Sequence, residues 1–194
     1  MQVNRRKPIV VGVGELLWDM LPTEKKVGGA PINFVYHASQ VGAEGYAISA
    51  VGNDDLGNEI LQELDANSIQ YIIEKVPYPT GTVQVSLQNG IPNYEIKERV
   101  AWDYLVPTSK AIDLAEEADV ICFGTLGQRS PQSRNTIQTI LSFASEEAYR
   151  IFDINLRQHY YTKELIEESL YLANVLKIND EELLVIRELF GLSG

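Results

Sequence analysis

The stretch KVGGAPINF (residues 26–34) places two adjacent glycines and a proline directly before an apolar helical pattern. Glycine permits backbone conformations that other residues disfavour, and proline is well tolerated in the first turn of a helix. From Ile32 to Val41 the apolar residues recur at spacings of three and four, and no charge lies between Lys26 and Glu44, so we predict a mostly buried helix. By itself, such a turn can hold a phosphate, a neutral ligand or no ligand at all.

Strand and helix patterns alternate on both sides of this turn. The run PIVVGVG (8–14) is almost continuously apolar and ends in glycine, as expected of a strand buried on both faces. Further strands are predicted at 45–52, 119–124, 149–155 and 174–179, with helices over 54–69, 132–147, 163–173 and from Asp180 or Glu181 onward. This alternation predicts a doubly wound α/β fold, in which a mainly parallel sheet carries helices on both faces and binds ligands outside the carboxyl ends of its strands.

Two segments break the alternation and predict a small β-sheet lid. LLWDMLP (16–22) reads as a short extended segment, and residues 80–90 alternate apolar with polar side chains. Residues 92–102 alternate less regularly, and Asn89-Gly90 between the two runs is a strong β-hairpin signal. The lid is expected to consist of residues 16–21 and 80–101.

The composition excludes several classes of protein. The 194 residues carry 16 basic and 27 acidic side chains, a formal charge of −11 at pH 7. This balance argues against binding to nucleic acid or to an anionic membrane surface. No stretch approaches the apolar length that a membrane-spanning helix needs. The single cysteine, Cys122, cannot form an intramolecular disulfide and favours a reducing cytoplasm.

Common nucleotide and metal motifs are missing. GVGELL (12–17) begins like a dinucleotide-binding loop, but Leu17 stands in place of the third glycine, and no G-x-x-x-x-G-K-[ST] loop occurs. His37 and His159 have no second imidazole or thiol at metal-ligand spacing, so a zinc site is not expected. We interpret His37 as a core or rim residue of its helix.

Polar residues remain at the predicted carboxyl ends of the strands. They are Asp19, Asp153, Asn155, Arg157, Asn179 and Glu182. Because the ends of parallel strands meet at one edge of a sheet, these side chains are candidates for a shared functional cleft. Polar loops alone would produce the same pattern, so the residues by themselves leave both interpretations open.

Taken in order, these motifs resemble those of the PfkB or ribokinase-like sugar kinases, and most of all the fructokinases. The resemblance rests on VGVGELLWDMLP, VGGAPINFVYHASQVGA, TGTVQVSLQNG, FDINLR and KINDEE, and the segment from Gly28 to Gly57 looks like the N-terminal signature of the family. It implies a ribokinase-like fold and the transfer of a phosphoryl group from ATP, with Mg²⁺, to a hydroxyl group of a sugar. The similarity runs along the whole chain but corresponds to only the first two thirds of a family member.

The resemblance assigns Asp19, Gly28, Gly29 and Asn33 to the sugar. An ionised Asp19 carboxylate accepts hydrogen bonds from neighbouring hydroxyl groups, the Asn33 amide both donates and accepts, and the two glycines let the main chain approach the sugar closely. Arg157 is assigned to the sugar and the transferring phosphate. The ordinary alternatives are that Asp19 only ends a strand and that Arg157 is a solvated surface residue.

Asn155, Asn179 and Glu182 are assigned by the same resemblance to the phosphate side. Asn179 and Glu182 match an N-x-x-E pattern that helps to place Mg²⁺ against the phosphates, with Glu182 acting on the metal through water. Asn155 belongs to the D-x-N-x-R segment, whose Arg157 would offset the negative charge that develops during transfer. Glu182 could instead be a helix N-terminal carboxylate favoured by the dipole. The hairpin lid would exclude water from the reaction.

The resemblance also implies features that this sequence does not contain. The catalytic aspartate of the family lies in a later G-A-G-D motif, which we expect beyond Gly194, so no catalytic residue is assigned within the chain. We expect residues 1–194 to be the N-terminal portion of a single, longer kinase domain, with an unfinished sheet edge, and to be inactive alone. A non-catalytic sugar-binding protein on the same scaffold remains the alternative.

Substrate and assembly are further expectations from the resemblance. Ala30-Pro31, ELLWDMLP and DINLR resemble fructokinases, so fructose is the expected sugar. The 2-keto-3-deoxygluconate kinases and the ribokinases are the alternatives, although ribokinases tend to carry a lysine in place of Ala30. The lid strands would allow a homodimer through the lid, and a monomer is equally compatible.

Overall fold

The computed structural model describes residues 6–88 and 91–192 and contains two β-sheets. The strands are β1 (Ile9–Val13), β2 (Leu17–Met20), β3 (Lys25–Gly28), β4 (Glu44–Gly52), β5 (Gln70–Val76), β6 (Gly81–Gln88), β7 (Ile91–Ile96), β8 (Val120–Gly124), β9 (Tyr149–Asp153) and β10 (Val175–Lys177). The helices are α1 (Ala30–Gln40), α2 (Asp55–Ala66), α3 (Ser109–Glu117), α4 (Pro131–Ser142), α5 (Lys163–Leu172) and α6 (Asp180–Phe190). Two short 3-10 helices are Ala101–Tyr104 and Leu126–Gln128.

The larger sheet has six parallel strands in the order β10-β9-β8-β1-β4-β5. Strand β1 lies at its centre, where Val11 pairs with Tyr46 of β4 on one side and with Ile121 of β8 on the other. From β1 the later strands are added outward in both directions. Connections that leave in opposite directions open a crevice at the carboxyl ends of the central strands. The prediction of a doubly wound α/β fold is confirmed.

Hydrophobic cores cover both faces of this sheet. On one face α1 and α2 bury Ile32, Val35, Ile60 and Leu64 against Val10, Ala47 and Val51. On the other face α3, α4, α5 and α6 bury Ala115, Ile137, Ile140, Leu165 and Ile186 against Phe123 and Phe152. Neighbouring residues of β1 point to opposite cores, because successive side chains of a strand alternate between its faces. This arrangement explains the continuous apolar run at 8–14.

Helix α1 differs from the prediction of a mostly buried helix. Only Pro31, Ile32 and Val35 are buried, while Asn33 and His37 are exposed. One apolar stripe of the helix packs on the sheet. The opposite side faces an open cleft, which the sequence pattern did not reveal. His37 is therefore on the rim of the cleft and not in the core.

Two strands and one α-helix were not predicted from the sequence. Strand β5 carries charges at Glu74 and Lys75 and is only partly buried, because it is the edge of the sheet. Helix α3 packs through the small side chains of Ala111 and Ala115, which give a weak periodic signal. Strand β3 includes Lys26, Val27 and Gly28, so the first part of the opening motif is a strand that ends at Gly28, and α1 begins at Ala30.

The smaller sheet is the predicted lid, with the strand order β3-β2-β6-β7. Strand β2 pairs antiparallel with β3, opposing Leu17 to Gly28, and parallel with β6, opposing Leu17 to Gly81. Strands β6 and β7 pair antiparallel, as a hairpin requires. The predicted Asn89-Gly90 turn lies outside the described residues.

A buried ion pair fastens the end of the lid to the body. Arg129 donates from Nε and Nη2 to the two carboxylate oxygens of Asp103, both at 2.8 Å, and the side chains are only 4% and 6% exposed. The guanidinium group also stacks on Trp102, with 3.8 Å from Cζ to the ring centroid. Asp103 Oδ2 additionally accepts from the Val100 N–H. Such a bidentate pair holds the chain that leaves β7 in one orientation.

We expect Asp103→Ala to lower the free energy of unfolding by about 3–5 kcal/mol, because it leaves the buried Arg129 charge without its partner. The exposed Lys163–Glu167 pair on α5 serves as the control. Glu167→Ala should cost less than about 0.5 kcal/mol, since exposed pairs contribute little. Urea unfolding followed by circular dichroism measures both, and equal losses would contradict a special role for the Arg129–Asp103 pair.

Candidate active site

A cleft of about 980 Å³ lies between the lid and the carboxyl edge of the larger sheet. Its walls come from both sheets, from the first turns of α1 and from the loop after β9. Of the eight residues predicted to bind substrate or phosphate, five line it. They are Asp19, Gly29, Asn33, Asn155 and Arg157. The structure therefore brings together residues that are up to 138 positions apart in the chain.

Asp19 and Asn33 face the cleft with unused hydrogen-bonding groups. Asp19 lies on β2 and Asn33 in the first turns of α1, and neither side chain bonds to any group in the described part of the chain. Partial burial raises the pKa of Asp19, and the nearby positive charge of Arg157 opposes the rise. Together they offer a carboxylate acceptor and an amide that donates and accepts, which suits a ligand rich in hydroxyl groups.

The Gly28-Gly29 turn is close-packed on both sides. A Cβ atom added to Gly28 would lie 2.4 Å from Asp19 Oδ2, and one added to Gly29 would lie 2.1 Å from the main-chain oxygen of Glu15. Gly29 also has a φ of +117°, which L side chains rarely adopt. Gly28 supports the position of Asp19 and does not itself line the cleft. A side chain is therefore excluded at Gly28 by the Asp19 carboxylate and at Gly29 by the Glu15 main chain.

The loop after β9 forms the opposite wall of the cleft. Asn155 and Gln158 both have positive φ, +35° and +47°, and these two residues turn the chain back over the sheet edge. Asparagine tolerates this conformation better than most residues. The Arg157 side chain is exposed, and within the described ranges it donates only to the main-chain oxygen of its neighbour Leu156, at 3.0 Å. Its guanidinium group is thus available to a ligand.

Asn179 and Glu182 lie outside the walls of the cleft and form a capping box at the start of α6. Asn179 Oδ1 accepts from the Glu182 N–H at 2.8 Å, and Glu182 Oε2 accepts from the Asn179 N–H at 3.0 Å. The other carboxylate oxygen, Oε1, accepts from the Leu156 N–H at 3.1 Å and so ties α6 to the loop of the cleft. Glu182 is buried with both oxygens engaged. Glu182 therefore has the structural role that the sequence left open, that of a carboxylate at the N-terminus of a helix.

Two groups in the cleft were not assigned to the site from the sequence. Lys177, on β10, donates to both carboxylate oxygens of Asp153, each at 2.9 Å, and this pair lies at the sheet edge. Glu15, between β1 and β2, is 1% exposed and lines the cleft floor. The sequence could have indicated Glu15, because it is an acidic residue directly after a predicted buried strand. The burial of Glu15 could not be predicted in this way, since it depends on residues distant in sequence.

The described residues, 6–88 and 91–192, contain no group of three or more histidine, cysteine, aspartate or glutamate side chains arranged to hold a metal. In the same residues no helix combines the length and apolar character needed to cross a membrane.

Comparison with known proteins supports the assignment of the fold. Residues 11–191 match the profile of the pfkB family carbohydrate kinase. The sugar kinase PH1459 of Pyrococcus horikoshii is 28% identical over 197 residues, covering 92% of this chain and 64% of that protein. A fructokinase of Salmonella typhimurium is 26% identical over 190 residues, covering 90% of this chain and 61% of that protein. The chain thus spans less than two thirds of the length of these relatives.

Solved structures show the same architecture. PH1459 in complex with ATP superimposes with a TM-score of 0.83 at 28% identity, covering 93% of this chain and 66% of that one. Fructokinase from Vibrio cholerae, bound to fructose, ADP and a calcium ion, superimposes with a TM-score of 0.76 at 22% identity, covering 96% of this chain and 64% of that one. The expected ribokinase-like fold, represented over about two thirds of its length, is confirmed.

We expect Gly29→Ala to destabilise the chain more than Gly42→Ala. Gly42 also has a positive φ, +101°, but no atom lies within 4 Å of an added Cβ, so this substitution costs only the backbone strain of about 1–3 kcal/mol. At Gly29 the collision with the Glu15 carbonyl is added. Unfolding in urea measures the difference, and equal losses at the two positions would show that the close approach at Gly29 is not required.

Proposed function

Since the chain belongs to the PfkB family of carbohydrate kinases, we propose that the whole protein transfers the γ-phosphoryl group of ATP to a hydroxyl group of a sugar, with fructose as the first candidate. The observation that carries the proposal is the cleft in which Asp19 and Asn33, unpaired among the described residues, present hydrogen-bonding groups beside the Gly29 main chain. A neutral ligand rich in hydroxyl groups would satisfy these groups. The free, buried Cys122 is in keeping with a cytoplasmic enzyme.

The sugar would bind between the lid and α1. Asp19 would accept hydrogen bonds from one or two hydroxyl groups, Asn33 would donate and accept, and the Gly29 main chain would lie against the ring. Leu17, Val83 and Ile96 supply an apolar surface on the lid side of the cleft. An apolar wall facing a few fixed polar groups is the usual composition of a small-molecule site.

Arg157 and Asn155 would act on the phosphate side of the sugar. Arg157 faces the same cleft as Asp19, and within residues 6–88 and 91–192 it forms no ion pair. A guanidinium group in this position can neutralise part of the charge on a transferring phosphoryl group. We expect the general base outside residues 1–194, as the resemblance implies.

The donor set at α6 fits Mg²⁺ only as an outer-shell site. Both Glu182 oxygens already accept main-chain hydrogen bonds and the residue is buried, so a contact with Mg²⁺ through water suits Glu182 better than direct coordination. Mg²⁺ keeps several of its waters and takes phosphate oxygens readily, and a water-mediated contact with Asn179 or Glu182 would preserve these bonds. Bound Mg²⁺ would neutralise phosphate charge, while Glu182 would hold the loop of Arg157 in place.

A sugar acid such as 2-keto-3-deoxygluconate is the second candidate substrate. The observation that favours it is the exposed Arg157 side chain, which could pair with a carboxylate, whereas fructose is neutral. Ribose is a further alternative substrate, and sugar binding without catalysis is an alternative function. The measurement of ADP release described next distinguishes them. Fructose is preferred because Ala30-Pro31 resembles fructokinases and because a structural neighbour of this fold carries fructose.

The test is ADP release by the full-length protein with ATP, Mg²⁺ and each of fructose, 2-keto-3-deoxygluconate and ribose. Fructose should give the highest kcat/KM. Asp19→Ala should raise the KM for fructose about a hundredfold, because hydrogen bonds to a charged group are lost.

The control is Asp113→Ala, an exposed position on α3 that should leave the KM unchanged. Absence of turnover with all three sugars would overturn the kinase proposal. Turnover by residues 1–194 alone would show that the general base lies within them.

We also propose that the protein forms a homodimer through the lid. In the part of the chain that the structure describes, β7 has a neighbouring strand on one side only, and Tyr94 on this strand is 53% exposed. An open strand edge is a ready surface for pairing with a second copy. Light scattering after size exclusion should show twice the monomer mass, and Tyr94→Lys should reduce it to the monomer mass. A wild-type monomer at all concentrations would contradict this proposal.

A further inference from the structure

Glu15 is a buried acidic residue that lines the cleft. It connects β1 to β2 and therefore lies on the first link between the α/β body and the lid. Only 1% of the residue is exposed, although it lines the cleft. Burial of a carboxylate is costly unless donors compensate it, so the contacts of Glu15 indicate its role.

One carboxylate oxygen of Glu15 binds the turn that would contact the sugar, and its main-chain oxygen packs against the same turn. Oε1 accepts a hydrogen bond from the Ala30 N–H at 3.0 Å, and this N–H belongs to the first turn of α1. The main-chain oxygen of Glu15 approaches Gly29 so closely that an added Cβ would lie 2.1 Å away. Glu15 thus fixes the link from β3 to α1, which is the second link between lid and body.

The other carboxylate oxygen, Oε2, has no hydrogen-bond partner in the described part of the chain. It lies beside Gly127, whose added Cβ would be 3.1 Å from it. The carboxyl group is therefore enclosed between the glycine turn and the 3-10 helix that follows β8. One oxygen has a donor and the other has none, which is an unusual state for a buried ionised carboxylate.

Charged and titratable groups face Glu15 from several elements. Asp153 at the end of β9 repels its charge, Arg157 in the following loop attracts it, and Cys122 on β8 lies near both acids. Asp19 faces the same cleft from β2, and Lys177 on β10 is paired with Asp153. Burial raises the pKa of Glu15 to about 7, and the nearby main-chain N–H groups of Ala30 and of Glu15 itself only partly oppose this effect.

We propose that Glu15 is a positioning residue whose ionised carboxylate holds the Gly28-Gly29-Ala30 turn in the geometry that binds sugar, so that sugar binding releases a proton from Glu15 to the solvent. The inference rests on the proposed function, because it takes the cleft as the sugar site. A carboxylate forms a stronger hydrogen bond with an N–H group than a carboxylic acid does, and the N-terminus of α1 favours negative charge. Protonation therefore loosens the turn.

The coupling predicts a pH dependence with a definite sign. If only the ionised form binds sugar, the apparent affinity follows the ionised fraction of Glu15. With a pKa of about 7, this fraction rises from about one tenth at about pH 6 to about nine tenths at about pH 8. The affinity of the wild type for fructose should therefore rise about tenfold over this interval.

The first experiment follows the turn directly and does not need the sugar. In the full-length protein, the amide resonance of Ala30 should shift with pH about a midpoint near 7, because Glu15 Oε1 is its acceptor. Glu15→Gln keeps an acceptor oxygen but cannot titrate, so its Ala30 resonance should not shift through this range. A wild-type resonance that stays constant, or the same midpoint in Glu15→Gln, would overturn the proposal.

The second experiment measures fructose binding by calorimetry at about pH 6 and about pH 8, in buffers of different ionisation enthalpy. The full-length wild type should release a proton and gain about tenfold in affinity, whereas Glu15→Gln should do neither. Glu116→Gln, at an exposed position on α3, is the matched control and should behave as the wild type.

These outcomes separate the two proposals. Equal pH dependence in the wild type and Glu15→Gln overturns the role of Glu15 while leaving sugar binding intact. Conversely, an Ala30 resonance that titrates in a protein that binds no sugar overturns the assignment of the cleft.

Discussion

The contact between Gly29 and the main-chain carbonyl of Glu15 determines much of this structure. The two backbones approach so closely that no side chain fits between them. A similar contact occurs at Gly12, where an added Cβ would lie 2.3 Å from the main-chain oxygen of Pro31. Together they let α1 begin directly over β1, with its first turn at the carboxyl end of the central strand. The position of Asn33, and the shape of the cleft beneath the lid, follow from this approach.

The lid and the body form the cleft jointly, so neither sheet contains the site alone. Asp19 comes from the lid, Asn33 from a helix of the body, and Arg157 from a loop at the sheet edge. The links between the two parts are individually restrained, one by the glycine turn and another by the buried Arg129–Asp103 pair. The chain is strongly acidic overall, yet Arg157 and Lys177 place positive charge beside the cleft. The local arrangement of charged side chains, and not the net charge of the chain, therefore decides which anions the cleft could accept.

Some polar side chains near the site are fully hydrogen-bonded within the protein and shape the site, whereas others are available to a ligand. Glu182 and Asp103 have both carboxylate oxygens occupied by protein donors, and their removal would disturb the fold. Asp19 and Asn33 have no such partners in the described part of the chain. Sequence motifs place both kinds of residue in one family pattern. The distinction is nevertheless physical, because a group already paired within the protein has less to gain from a ligand.

The sequence alone was sufficient for the central strands and for the α/β class, because strands buried on both faces leave continuous apolar runs between helical patterns. It missed β5 and α3, since an edge strand and a helix packed through alanines carry weak patterns. Motif resemblance indicated Asp19, Asn33 and Arg157, whose places at strand ends and helix starts are local properties. Only the tertiary structure revealed the buried state of Glu15, which depends on Ala30 and Gly127. Burial and pKa are set by neighbours in space, and the chain order does not encode them locally.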